Sequence, residues 1–221
     1  ENPHLRVVVN TDGQVTSAYD KRAARHLITP GETANQLIAF EDRPICWDAW
    51  DIDASYEERS EIVQGDTDIQ VTETGPLRAT IEIKTKWRGS TIRQKIHLSA
   101  HSTRLDFVTD VDWHEQHTLL KAAFPTSIEA TNAEFDIQWG RITRAATRDT
   151  PFDAARFEVP AQKWAQVRDE TLAVAVLNDC KYGYDVQRGT IRITLIKSST
   201  SPDPNADQGA HSFTYSLFCY D

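Results

Sequence analysis

A period-two alternation of apolar and polar side chains is the feature that most constrains how this chain folds. It runs through three consecutive stretches, at residues 77–87, 91–98 and 104–113. Successive side chains of a strand point to opposite faces of a sheet, so each stretch predicts a long strand with one buried and one solvated face. Short breaks with Gly, Ser and His separate the stretches, which indicates an antiparallel meander.

The same alternation appears at both ends of the chain. Residues 5–9 precede Asp12-Gly13, a hairpin signal, and residues 15–19 follow it. Residues 172–177 (LAVAVL) are continuously apolar and predict a central strand buried on both faces. Further strands are predicted at residues 68–73, 134–139, 155–159, 190–195 and 213–219.

Helical patterns are limited to single turns at residues 23–27 and 31–37. With at least ten strands, the predicted fold is all-β: a large antiparallel two-sheet sandwich with very little helix. No internal repeat or low-complexity linker interrupts the chain, so residues 1–221 are predicted to form a single β-sandwich domain. A chain of this length buries about 70% of its unfolded surface and needs no disulfide or structural metal to fold.

Composition excludes several classes of partner. The formal charge of -9 argues against nucleic acid and anionic membranes, and no apolar run of about 18 residues is present. The cysteines, Cys46, Cys180 and Cys219, are widely spaced without a CxxC pair, which predicts free thiols and a cytoplasmic location, with the vacuole as alternative. The absence of Met and of a signal sequence indicates a fragment or a processed product.

Two segments fit neither a strand nor a short turn: residues 40–58 and residues 198–211. Long irregular insertions in compact domains are usually functional or disordered. In the first segment, indoles stand beside carboxylates at Trp47, Asp48, Trp50 and Asp51. Flat aromatic faces and carboxylates together suit a sugar, although the same residues would also suit a buried corner with capped turns. Neighbouring carboxylates on one loop rarely hold the roughly 5–9.5 Å separation that glycoside hydrolysis requires.

The second segment is bounded by prolines and offers a separate polar set. Asp203, Asp207, Gln208 and His211 supply hydrogen-bond acceptors, donors and one imidazole, and a turn-rich surface loop would explain them as well. The run His114-Glu115-Gln116-His117 resembles a metal motif, but its histidines are three apart and no third ligand stands nearby. It therefore predicts a solvated loop at the end of a strand, and the sequence assigns no metal ligand.

Several blocks of the chain resemble the part of family 38 α-mannosidases that follows their catalytic half. The resemblance covers essentially the whole chain in order and is closest to the cytosolic, vacuolar and bacterial subgroup. One departure is Phe152, where that subgroup usually has Trp. The blocks are the first hairpin (HLRVVVN to VTSAYDK), FEDRP, WDAWDID, DWHEQHTLLKAAFP, EFDIQWG, FDAARFEVPAQKW, LNDCKYGYDV and ADQGAHSFTYSL.

The resemblance implies a galactose-mutarotase-like supersandwich that serves as the non-catalytic C-terminal domain of a retaining exo-α-mannosidase. In this family zinc or cobalt, the nucleophile and the acid/base carboxylate belong to an N-terminal catalytic domain, so no catalytic residue, metal ligand or cofactor is assigned here. The expected partners are that catalytic domain and mannose-containing oligosaccharides, and a homo-oligomer is compatible with the family. The two irregular segments are expected to lend loops to the rim of the active site.

Two other functions remain open on the sequence. A free-standing carbohydrate-binding module would use the same tryptophan-rich loop to bind sugar without chemistry. A mutarotase-like sugar epimerase would need its own acid–base pair, for which His97, His114 and Glu115 are the candidates.

Overall fold

A computed structural model describes all 221 residues, Glu1–Asp221. It contains a 3₁₀-helix at Ala54–Glu58 and one α-helix, α1, at Pro151–Ala154. Neither has the length or the apolar character that crossing a bilayer requires. The strands are β1 (Leu5–Val9), β2 (Val15–Asp20), β3 (Arg25–His26), β4 (Gln36–Glu41), β5 (Ser60–Ile62), β6 (Asp66–Thr74), β7 (Arg78–Trp87), β8 (Ser90–Ser99), β9 (Arg104–Trp113), β10 (Thr118–Pro125), β11 (Asn132–Ile137), β12 (Gly140–Ala145), β13 (Val159–Pro160), β14 (Trp164–Arg168), β15 (Ala173–Asn178), β16 (Gly183–Gln187), β17 (Thr190–Ser198) and β18 (Gly209–Tyr220).

One layer of the fold is a nine-stranded antiparallel sheet in the order β12-β11-β14-β15-β18-β9-β8-β7-β6. The predicted meander forms its β7–β8–β9 portion, with Ile83 opposite Gln94 and Ile96 opposite Phe107. The alternation has the predicted effect, because Ile96 and Phe107 are buried while Arg93 on the other face is exposed. Strand β15 lies between β14 and β18, which confirms the central strand predicted from LAVAVL.

The opposite layer consists of two sheets that share one core with the first. A six-stranded sheet has the order β13-β16-β17-β10-β4-β5, and a three-stranded sheet has the order β1-β2-β3. Leu5 of β1, Leu120 of β10 and Phe107 of β9 belong to a single cluster of 40 buried apolar residues. The predicted all-β sandwich is therefore confirmed, with its second layer divided into two sheets.

Three local predictions are wrong. Residues 155–159 were expected to form a strand, but only Val159–Pro160 pairs, and α1 with its turn precedes it. Thr150 caps α1, because its Oγ1 accepts a hydrogen bond from Asp153 N at 3.2 Å. The helical turns expected at residues 23–27 and 31–37 contain β3 and the start of β4 instead. Pairing with β2 and β10 provides the backbone with partners that a single isolated turn lacks.

The outer face of the six-stranded sheet is partly covered although it carries charged side chains. Lys121 of β10 is completely inaccessible, and its Nζ lies 2.7 Å from Asp185 Oδ2 and also contacts Glu158. Arg192 Nε donates to Asp185 Oδ1 at 2.6 Å. Glu57 of the 3₁₀-helix bonds both Arg192 and Arg148, so the helix is fastened to the sheet. We call this set the charge layer; it comprises Glu57, Lys121, Arg148, Glu158, Asp185 and Arg192.

Candidate functional site at the loop end of the sandwich

Three irregular segments leave the two layers at the same end of the sandwich. In the six-stranded sheet, Thr118 lies opposite both Glu41 and Ser198. The last residues of β4 and β17 and the first residue of β10 therefore lie at the same end of the strands. In the nine-stranded sheet, Trp113 lies opposite Gly209. We call the segments the aromatic loop (residues 42–53), the HEQH turn (residues 114–117) and the proline loop (residues 199–208). Together they form the loop end.

Asp48 joins the aromatic loop to the proline loop. Its Oδ2 accepts hydrogen bonds from Thr200 N at 2.7 Å, Ser201 N at 3.1 Å and Thr200 Oγ1 at 3.3 Å. His117 lies beside them, with Nε2 3.2 Å from Thr200 Oγ1 and Nδ1 3.8 Å from Asp48 Oδ1. Burial raises the pKa of Asp48, but the donated N–H groups and His117 outweigh it and lower the pKa overall. The carboxylate is therefore ionised at neutral pH.

A second contact lies at the base of the same loops. The Asp42 side chain is 1% exposed and accepts a hydrogen bond from Lys197 Nζ. Burial raises the pKa of Asp42, although Lys197 opposes that effect. The backbone of His117 bridges the segments, because its O accepts from Asp42 N at 2.8 Å and its N donates to Ser198 O at 2.7 Å. Asp42 Oδ1, Asp48 Oδ1 and His117 Nδ1 have no hydrogen-bond partner in the chain, so this buried cluster retains bonding capacity.

The proline loop also contacts the HEQH turn. Gln208 Nε2 donates to Glu115 O at 2.6 Å, and Glu115 Oε1 accepts from Gly89 N at 3.0 Å and Ser90 Oγ at 2.8 Å. His211, at the start of β18, places its Nε2 2.8 Å from Asp207 O. Gln208 and His211 thus have internal partners.

The backbone is unusual in each of the three segments. Trp47, His117 and Asp207 all have positive φ, at 59°, 50° and 57°. Few non-glycine residues adopt this conformation, and such residues concentrate at functional sites. Five further non-glycine residues with positive φ lie outside the loop end, so this conformation describes the three turns without singling them out.

The indoles of the aromatic loop point to solvent. Trp47 and Trp50 are each 71% exposed, with ring centroids 6.4 Å apart at 75°. The alternative of a buried aromatic corner is therefore wrong for these two side chains. Asp51 and Asp203 are also exposed, and each accepts only a local backbone N–H, from Ile52 and Asn205. Exposed aromatic faces beside accessible carboxylates can bind the C–H face and the hydroxyl groups of a sugar.

The HEQH turn has a structural role in the chain. Nowhere in the 221 residues are three or more His, Cys, Asp or Glu side chains arranged to hold a metal ion. His114 Nε2 lies 3.0 Å from Asp112 Oδ1, whereas His117 faces the proline loop. The two histidines therefore serve different contacts.

The structure separates the residues that an epimerase would need. His97 lies opposite Asp106 of β9, and His114 follows Asp106 by eight positions (114 − 106). At roughly 3.4 Å per strand residue, His97 and the HEQH turn are about 27 Å apart. His97 instead contacts Thr80, with Nδ1 2.7 Å from Oγ1. His97 therefore cannot act on one sugar atom together with His114 or Glu115.

The fold defines the class of this domain, a galactose-mutarotase-like sandwich, and the loop end adds two exposed indoles to it. A galactose mutarotase-like protein from Clostridium acetobutylicum superposes with a TM-score of 0.52 at 9% identity, covering 100% of this chain and 94% of that one. An α-mannosidase from Enterococcus faecalis V583 superposes with a TM-score of 0.82 at 18% identity, covering 100% of this chain and 29% of that one. These likenesses establish the fold.

Sequence comparison gives the family. The chain belongs to the glycosyl hydrolases family 38 C-terminal domain, whose profile matches residues 1–205. Alpha-mannosidase G of Dictyostelium discoideum is 38% identical over 99% of this chain and 20% of its own length. Alpha-mannosidase 2C1 of Homo sapiens is 34% identical over 98% of this chain and 21% of its own length. The chain thus spans about a fifth of these curated relatives.

Proposed function

We propose that this chain is the non-catalytic β-sandwich domain of a retaining, metal-dependent exo-α-mannosidase that removes terminal α-mannosyl residues from oligosaccharides. The observation that carries the proposal is its family membership, together with relatives named α-mannosidases of which it forms about a fifth. The remaining four-fifths of such a protein has room for the catalytic domain.

The loop end is the part of the domain that meets the catalytic domain in this proposal. Ile45 is 91% exposed and stands in the same loop as Trp47 and Trp50, so the aromatic loop carries a concentrated apolar surface. Surfaces of this kind commonly mark interaction sites. The indoles would pack on the C–H faces of an oligosaccharide at the active-site rim, while Asp51 and Asp203 accept hydrogen bonds from its hydroxyl groups. Asp207, Gln208 and His211 would shape the neighbouring part of that rim.

The metal and the reacting carboxylates belong elsewhere in this proposal. Zinc or cobalt, which would grip the sugar hydroxyls, does not fit this chain, because none of its His, Cys, Asp and Glu clusters has a metal-binding arrangement. The two carboxylates of a retaining glycosidase would likewise come from the catalytic domain. Free Cys46, Cys180 and Cys219 support a reducing location, and we propose the cytoplasm, with the vacuole as the alternative.

The test is hydrolysis of p-nitrophenyl α-mannoside by the full-length protein and by residues 1–221 alone, each with and without added zinc or cobalt. We expect turnover only from the metal-loaded full-length protein. Turnover by residues 1–221 alone would show that this domain has its own catalytic site and would overturn the assignment.

The exposed Trp47–Trp50 pair also favours a second candidate, a carbohydrate-binding module that acts without the catalytic domain. Calorimetric titration of residues 1–221 with a mannose oligosaccharide separates the two functions. A module predicts saturable binding by the isolated domain, whereas a rim that needs the catalytic domain predicts none at millimolar ligand.

A further inference from the structure

We infer that Asp48 is a positioning residue that fixes the direction in which Trp47 and Trp50 face. The clamp itself follows from the geometry of the loop end, whereas its kinetic consequence rests on the proposed function. Asp48 thus differs from Asp51, which has the same residue type and lies on the same loop but is exposed and bonds only its neighbour.

The two indoles belong to one closed turn. Trp47 O accepts hydrogen bonds from Trp50 N at 2.7 Å and Asp51 N at 2.9 Å. Ile45 N donates to Asp53 Oδ2 at 3.0 Å and closes the loop around that turn. The segment from residue 44 to residue 53 is therefore held together internally.

Asp48 is the one residue of that segment whose hydrogen bonds reach another part of the sandwich. It accepts from Thr200 and Ser201, which are more than 150 positions away, and its side chain is 17% exposed. Apart from its chain ends, the turn is also held by apolar packing of Ile52, which is not directional, so it can reorient as a unit when the Asp48 hydrogen bonds are lost. The orientation of the indoles thus depends on a carboxylate that does not itself need to touch sugar.

The chemistry of the contact favours positioning over ligand binding. Asp48 Oδ2 already accepts three hydrogen bonds, and Oδ1 is buried without a partner beside His117. Hydrogen bonds to an ionised acceptor are among the stronger contacts in proteins. What the clamp needs is an acceptor oxygen at this position, and an amide oxygen also provides one.

This requirement gives a direct test with two variants of the full-length protein. In hydrogen–deuterium exchange, we expect Asp48→Ala to speed exchange in peptides covering residues 47–51 and 199–203 by about tenfold or more. Asp48→Asn retains an acceptor and should keep exchange within a few-fold of wild type. Asp12→Asn, at an exposed turn outside the loop end, is the matched control and should leave both peptides unchanged. Wild-type exchange in Asp48→Ala would overturn the clamp.

Kinetics then test what the clamp does. We expect Asp48→Ala to raise KM for a mannose oligosaccharide about tenfold, with a smaller effect on p-nitrophenyl α-mannoside, which has no further sugars to reach the rim. Asp48→Asn should restore most of the loss, and Asp12→Asn should match wild type. Equal losses in both Asp48 variants would overturn positioning, because the charge would then be essential. Faster exchange with unchanged KM would support the clamp and overturn the proposed rim.

Discussion

The two faces of the six-stranded sheet are covered in different ways. On the inner face, Leu120 and Phe124 of β10 enter the apolar core shared with the nine-stranded sheet. On the outer face, Lys121 of the same strand is equally buried, but it lies against carboxylates of the charge layer and the ring of Tyr56, which belongs to a small apolar cluster on that face. The inner face stabilises the sandwich through apolar area, which is not selective about its partner. The outer face requires particular charged partners in particular places.

That difference assigns the outer face a role in placing the loop end. Glu57 bonds Arg148 and Arg192, and it belongs to the 3₁₀-helix that directly follows the aromatic loop. Asp48 fixes the middle of that loop, and the charge layer fixes the chain after it. Buried ion pairs contribute less to stability than their number suggests, and selecting one arrangement is a role they can serve. We hold that hypothesis for the charge layer, and the following changes test it.

The largest expected effect comes from Lys121→Ala. Removing the ammonium leaves Asp185 and Glu158 buried without it, which should lower the free energy of unfolding by about 3–5 kcal/mol. Chemical denaturation of residues 1–221 measures the change. Lys121→Met combined with Glu158→Gln removes one positive and one negative charge, leaves Asp185 with Arg192, and should cost much less. A double variant as unstable as Lys121→Ala would contradict the assignment of selectivity to the outer face.

A smaller effect is expected on the inner face. Ile193 of β17 is fully buried in the apolar core, so Ile193→Val should lower the free energy of unfolding by about 0.5–1.5 kcal/mol through one lost methylene. The same denaturation experiment measures it at pH 7 and pH 5. Because no charge is removed, the loss should be equal at both pH values; a pH-dependent loss would mean that the two faces are energetically coupled.

The pH dependence of stability should also differ between the two faces, because only the charge layer contains titratable groups that affect it. Burial raises the pKa of Glu57, but hydrogen bonds from Arg148 and Arg192 outweigh it and lower that pKa below its ordinary value. A lowered pKa stabilises the fold above the unfolded value of about 4.3, and this contribution is lost as pH falls through the folded value. Thermal unfolding from pH 7 to pH 3 should therefore show a shallower acid decline in Glu57→Gln than in wild type. If the unfolding temperatures of the two proteins fell in parallel, Glu57 would not contribute to the pH dependence of stability.

The sequence predicts well the strands that have one solvated face, and also the continuously apolar strand β15. The alternation of β7, β8 and β9 survives in the structure because one side of each strand is solvated. In β10 both faces are also buried, but Lys121 interrupts its apolar run and TLLKAAFP shows no alternation, so the sequence does not predict this strand despite its central place. The sequence predicts helical turns where β3 and the start of β4 form; β3 is only two residues long, and β4 pairs with β10, which is distant in sequence.

In the candidate site, too, the sequence predicts the local features but not the contacts between distant segments. Local composition singles out the aromatic and proline loops as irregular and polar, and the structure brings them together. Local composition cannot show that Asp48 faces Thr200, 152 positions away, or that Lys197 pairs with Asp42. Nor does it distinguish Asp48 from Asp51, because their neighbours in the chain are nearly alike. Those assignments depend on the register of β4, β10 and β17.

The most direct test of the account is the kinetics of Trp47→Ala/Trp50→Ala in the full-length protein with a mannose oligosaccharide. Leu77→Ala is the control, because Leu77 is 81% exposed and directly precedes β7 at the end of that strand far from the loop end. If the loop end forms part of the active-site rim, the double variant should raise KM about tenfold, from the loss of two aromatic contacts, while the control matches wild type. Wild-type KM and kcat in a folded double variant would contradict the role proposed for the loop end.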